Sequence, residues 1–101
     1  MTINKLSEYG HAFQIKVISS LITDKKFLQN ISDILSSEYF DSEAHKWIID
    51  YILQYFTKWR TVPTMEVLSI ETKKIKNEIH QIAIREELKE LEKNKTRIRK
   101  E

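Results

Sequence analysis

The chain has no cysteine, one glycine (Gly10) and one proline (Pro63). Each scarcity excludes something. Without cysteine there is neither a disulfide nor a thiolate zinc site, which suits a reducing compartment. A phosphate loop of the GxxxxGK type and a dinucleotide GxGxxG motif each need at least two glycines, so both are ruled out. A β-sandwich or barrel needs turn residues about every 8–12 positions, and the supply is lacking. No stretch approaches the ~18 apolar residues of a membrane span. Met1 to Glu8 lack the basic-then-apolar pattern of a signal peptide. What is present is 101 residues, 41 % apolar and 32 % charged, the balance of one folded module. The expected class is all-α, in the cytoplasm, away from membranes and without a cofactor.

Charge of one sign is also in short supply. Seventeen Lys and Arg face fifteen Asp and Glu, for a net charge of +2. A protein built to wrap DNA neutralises many phosphates and carries a larger excess. The distribution is uneven, with 7 basic and 8 acidic side chains in residues 1–70 and 10 and 7 in residues 71–101. Lys93, Lys95, Arg97, Arg99 and Lys100 form a basic run, the candidates for nucleic-acid contact. Cations near a helix C-terminus also complement its dipole, which explains such a run without DNA.

Apolar periodicity places the helices. Phe13, Val17, Ile18, Leu21 and Ile22 repeat at the helical period, with Gln14, Lys16, Ser19 and Ser20 on the other side. Asp24 is placed to cap a second stripe of Phe27, Leu28, Ile31, Ile34 and Leu35. Ser36 and Ser37 break that stripe, and Glu38-Tyr39-Phe40 reads as a short turn that drops an aromatic into the core. Ser42 is the next cap. Ala44, Trp47, Ile48, Tyr51, Ile52, Tyr55, Phe56 and Trp59 then keep an unbroken helical rhythm, widened by Ile49 and Leu53, which predicts a central helix with its aromatics in the core. Pro63 ends it, and Thr64 caps the next helix. The second half is thinner: Met65, Leu68, Thr72 and Ile75, then Ile79, Ile82, Leu88 and Leu91, with Ile84 slightly aside. Asn77 marks a break and a cap, so residues 64–95 read as a hairpin in preference to one long bent helix. The expected layout is a bundle over 1–62, a hairpin over 63–95 in the same unit, and a basic linker start over 96–101.

Catalytic chemistry is hard to find. His11, His45 and His80 are far apart in sequence with no i, i+4 ligand partner, so no metal site is expected. His45, on the first turn of the aromatic helix, reads as a structural, partly buried histidine. Glu86-Glu87 and Asp41-Glu43 read as solvated carboxylates, and no serine sits in a GxSxG turn. A narrow aliphatic seam on a charged helix is instead how a protein-binding surface is written. Ile75, Ile79, Ile82, Leu88 and Leu91 are therefore the candidate interface.

The order of these signals resembles the N-terminal domain of DnaB-type replicative DNA helicases, in particular the phage versions. Gln14 to Ile22 followed by Asp24 and Phe27 looks like that family's opening helix and acidic turn. Glu38-Tyr39-Phe40 matches its short aromatic segment. His45 with Ile48 and Ile49 looks like the opening of its long third helix, and Val62-Pro63-Thr64 with Val67 and Leu68 is similar to its link into a hairpin. The likeness covers residues 11–92. Ser19-Ser20 stand where many relatives carry glycine, which separates the chain from the bacterial branch. The resemblance implies a non-catalytic collar domain that pairs with itself, as a dimer within a hexamer, and docks primase. The helicase-interaction domain of a primase shares the design, and a small DNA-binding or helicase-loading adaptor is a further alternative.

Overall fold

The computed structural model describes residues 10–99, with side chains described as far as Lys93. Among the described residues five α-helices succeed one another: α1 (His11–Thr23), α2 (Lys25–Ile31), α3 (Glu43–Trp59), α4 (Met65–Thr72) and α5 (Glu78–Arg99), with a 3₁₀ turn at Ser37–Tyr39. No strand occurs among the described residues. The class is all-α.

Side-chain oxygens start four of these helices, α2 to α5. An unpaired first-turn amide is the weak point of any helix, and an Asp, Ser, Thr or Asn just ahead of it supplies the acceptor. Asp24 Oδ1 accepts from the Phe27 amide at 3.1 Å. Ser42 Oγ accepts from Ala44 and His45, Thr64 Oγ1 from Val67, and Asn77 Oδ1 from His80 at 3.0 Å. Gly10 precedes α1 at φ 90°, a conformation that strains any residue with a Cβ. Arg60 closes α3 in the left-handed region, its amide bonded to the Phe56 carbonyl at 2.7 Å.

The core is aliphatic: Ile15, Ile18, Leu21, Leu28, Ile48, Ile49, Ile52, Leu68, Ile84 and Leu91 are buried, joined by Phe40 and Phe56. Phe40 enters it from the turn where the sequence places an aromatic. α5 packs along α1, α3 and α4 together. The chain turns between α4 and α5 at residues 73–77, but α5 lies on the bundle as an integral wall of it.

Several expected faces are rotated. On α1, Ile18 and Leu21 are buried as expected, but Gln14 and Ser19 are buried too and Phe13 is 41 % exposed. Gln14 can turn inward because its amide oxygen finds donors there, the His45 ring and the Asp41 amide. α2 ends at Ile31 instead of continuing to Leu35, which leaves Ile34 exposed. On α3 the buried residues are Ala44, His45, Ile48, Ile49, Ile52 and Phe56. Trp47, Tyr51 and Tyr55 are half-buried and Trp59 is 58 % exposed. α3 continues as an unbroken helix past its core contact, so the aromatics at i, i+4 form a flank. α5 also extends through residues 96–99, where a linker is expected. Met1 to Tyr9, Lys100 and Glu101 lie outside the described residues.

Candidate functional site

Three features stand apart from ordinary packing. The first is a buried polar cluster at the junction of α1, α3 and α5. His45, in the first turn of α3, is fully buried. Its Nδ1 lies 3.2 Å from Gln14 Oε1 on α1 and its Nε2 lies 2.8 Å from Glu87 Oε1 on α5. His11, at the first position of α1, stacks on the His45 ring with centroids 4.9 Å apart and places its own Nε2 3.4 Å from the same Glu87 oxygen. Phe40 meets the His45 ring edge-on.

Burial is the largest influence on the His45 ring. It disfavours the imidazolium and holds the pKa below the ordinary histidine value, while the hydrogen bond and charge of Glu87 push the other way and His11 adds a smaller lowering. Distance along the chain makes the three histidines read as unrelated. In space His11 and His45 meet, and Glu87, which the sequence presents as a solvated carboxylate, is a half-buried partner of both. A signal was available: Glu87 falls in the stretch of α5 that carries Ile84, Leu88 and Leu91. His80 is elsewhere, its backbone capped by Asn77.

The second feature is the aliphatic seam, which the fold divides. Leu88 and Leu91 are 5 % and 1 % exposed and are covered by this chain's own helices, as is Ile84. For these two leucines the expectation of a surface seam is corrected, because α5 docks on three neighbours and consumes that face. Leu88 lines a shallow groove between α4 and α5, with Met65, Ser69 and Arg85 beside it. Ile79 and Ile82 are 81 % and 53 % exposed. At 100° per residue they centre on the side of α5 roughly opposite Ile84, Leu88 and Leu91. Ile75, in the turn before α5, packs half-buried against the core. Of the basic run, Lys93 is exposed, the backbone of Lys95, Arg97 and Arg99 is helical, and Lys100 lies outside the described residues.

On the flank of α3 the aromatics form a ladder. Trp47 and Tyr51 stack at 5.7 Å with their planes 5° apart, followed by Tyr55 and Trp59 at 5.9 and 6.3 Å. The Lys58 ammonium sits 5.3 Å over the Trp59 ring. No described helix is long and apolar enough to cross a membrane.

Residues 13–99 match the family model of the DnaB-like helicase N terminal domain. No curated protein and no solved structure matches the chain.

Proposed function

Because the chain belongs to the DnaB-like helicase N-terminal domain family, the N-terminal region of replicative DNA helicases, we propose that it acts as a non-catalytic collar element which pairs with a second copy and docks primase. The observation that supports pairing is the exposed ridge of Ile79 and Ile82 on an otherwise charged helix. Burying an isoleucine is worth about 1.5–3 kcal/mol, so four of them across a two-fold contact gain roughly 6–12 kcal/mol at most. Association itself costs an estimated 4–15 kcal/mol. Pairing through this ridge is therefore weak in isolation, as suits a contact that operates within a larger ring. Hydrolysis of ATP belongs to a motor that this domain does not contain.

Light scattering and sedimentation across a wide concentration range test the pairing. The wild type is expected to dimerise with rising concentration, and Ile79→Asp or Ile82→Asp to remain monomeric while folded. A wild type that stays monomeric at millimolar concentration, or an Ile79→Asp chain that dimerises equally well, overturns it. Primase docking is tested by co-sedimentation with the cognate primase, and no complex at high concentration counts against it.

The aromatic ladder favours one second reading. Half-exposed rings beside Lys58 and Arg60 have the composition of a stacking surface for single-stranded nucleic acid. Binding of single-stranded DNA that weakens steeply with salt and is lost in Trp59→Ala supports that reading; no binding at low salt removes it.

A further inference from the structure

We propose that His11, His45 and Glu87 form a binding site for a single divalent transition-metal ion of the Zn²⁺ class. One nitrogen from each histidine and one carboxylate oxygen, carried by three different helices, lie within 4.8 Å of one another. Two histidines and a carboxylate are a recurrent three-ligand set for zinc, with a fourth position left for water. The His11 side chain is 58 % exposed and that of Glu87 19 %, so the open side faces solvent and gives the ion a way in.

The hydrogen bonding around His45 distinguishes this cluster from three polar groups that happen to meet. Gln14 Oε1 accepts from the Asp41 amide, which identifies that atom as the amide oxygen. The neutral tautomer that satisfies this oxygen carries its proton on His45 Nδ1, which faces it at 3.2 Å. In the neutral ring Nε2 consequently holds a lone pair, and that lone pair points at the Glu87 carboxylate 2.8 Å away. Two acceptors so placed require a cation between them. A proton or a metal ion can supply it, and the third donor, His11 Nε2 at 3.4 Å from the same Glu87 oxygen, is placed for the ion. Gln14 meanwhile does what the outer partner of a metal-bound histidine does: it fixes the tautomer and orients the ring.

The distances are within reach of a tetrahedral ion. Bonds of 2.0–2.1 Å set ligand atoms about 3.3 Å apart. His11 Nε2 and Glu87 Oε1 already stand at 3.4 Å. The His45–Glu87 pair has to open by about half an ångström to reach that spacing. The two histidines have to converge and give up their stacking, a movement His11 can make because its side chain is exposed at the start of α1. With nitrogen and oxygen donors and no thiolate, Zn²⁺, Co²⁺ and Ni²⁺ all suit the set. Bound there, the ion would join α1, α3 and α5 at one point. The three ligands include neither Ile79 nor Ile82, so metal binding is read separately from pairing through that ridge.

The test is titration of the full, untagged chain, freed of metal, with Co²⁺ and then Zn²⁺. The expected result is one equivalent of Co²⁺ bound with the visible absorption of a tetrahedral ion, displaced by Zn²⁺, and a melting temperature raised by either metal. His11→Ala, at an exposed position, is expected to leave the chain folded by circular dichroism and to weaken Co²⁺ binding by about 100-fold or more, beyond the roughly 10–100-fold expected for loss of an outer partner in Gln14→Ala. Glu87→Gln is expected to act like His11→Ala, and His80→Ala to change nothing. Absence of the tetrahedral band at stoichiometric Co²⁺ overturns the proposal, and so does a band that survives both His11→Ala and Glu87→Gln.

Discussion

Substitution of one α5 residue on each face separates its two roles. Leu91 is 1 % exposed and Ile79 81 %. Truncating a buried leucine removes its transfer free energy and leaves a cavity, at a cost of about 2–5 kcal/mol. A domain of this size has a total stability of only about 5–15 kcal/mol. Near the midpoint each kcal/mol is worth roughly 4–8 °C, so Leu91→Ala should melt about 8–40 °C below the wild type. Ile79 has only a fifth of its surface covered, and Ile79→Ala should change stability by less than about 0.5 kcal/mol. Thermal and urea denaturation followed by circular dichroism, at a concentration low enough to keep the chain monomeric, measures both. Equal losses, or a loss at Ile79 exceeding that at Leu91, would refute the docking of α5 on the bundle through its Leu91 face. The comparison also guards the pairing experiment, since an aspartate at position 88 or 91 abolishes association simply by unfolding the chain.

The polar interior supplies three further expectations. Ser19 Oγ is buried without a hydrogen-bond partner, so Ser19→Ala should raise stability by about 1 kcal/mol in urea denaturation. Ser42→Ala, which strips the acceptor from two first-turn amides of α3, should lower it by about 0.5–2 kcal/mol in the same assay. The His45 pKa is lowered in the folded chain, chiefly by burial. The unfolded chain therefore takes up a proton first as the pH falls below about 6.5, and stability should decline from there downwards, by no more than about 1.4 kcal/mol per pH unit for this one group. Melting temperatures between pH 7.5 and 5 in a chelating buffer measure the slope; a melting temperature that rises on acidification contradicts it.

The helices were legible in the sequence because their starts are written locally. Asp24, Ser42, Thr64 and Asn77 each cap the helix that periodicity places after them, and one side chain and one amide three positions on are enough to encode that. Which face of each helix turns inward was less legible, because it depends on what the other helices offer. Gln14 reads as a surface residue until the Asp41 amide and the His45 ring are brought to it. Trp47, Tyr51, Tyr55 and Trp59 share the spacing of a core stripe, yet the narrower and more closely packing row of Ile48, Ile49 and Ile52 takes the interior. The polar cluster as a whole could not be read, although the place of Glu87 beside Ile84, Leu88 and Leu91 hinted that it turns inward. Its members are separated by 31 and 42 residues, and nothing in the local spacing of a histidine records a carboxylate that far along the chain.

The cluster and the ridge are connected by geometry. An aliphatic contact alone defines the rotation of α5 about its axis loosely, since Ile84, Leu88 and Leu91 can slide over neighbouring apolar side chains at little cost. The pairing of Glu87 with the buried His45 Nε2, through a shared proton or a bound ion, removes that freedom, because an unpaired Nε2 inside the bundle is expensive. With Glu87 held against α1 and α3, the 100° step of the helix turns Ile79 and Ile82 outward to the opposite side. The Glu87–His45 pair thus adds a directional restraint to the apolar face that already turns Ile79 and Ile82 away from the bundle.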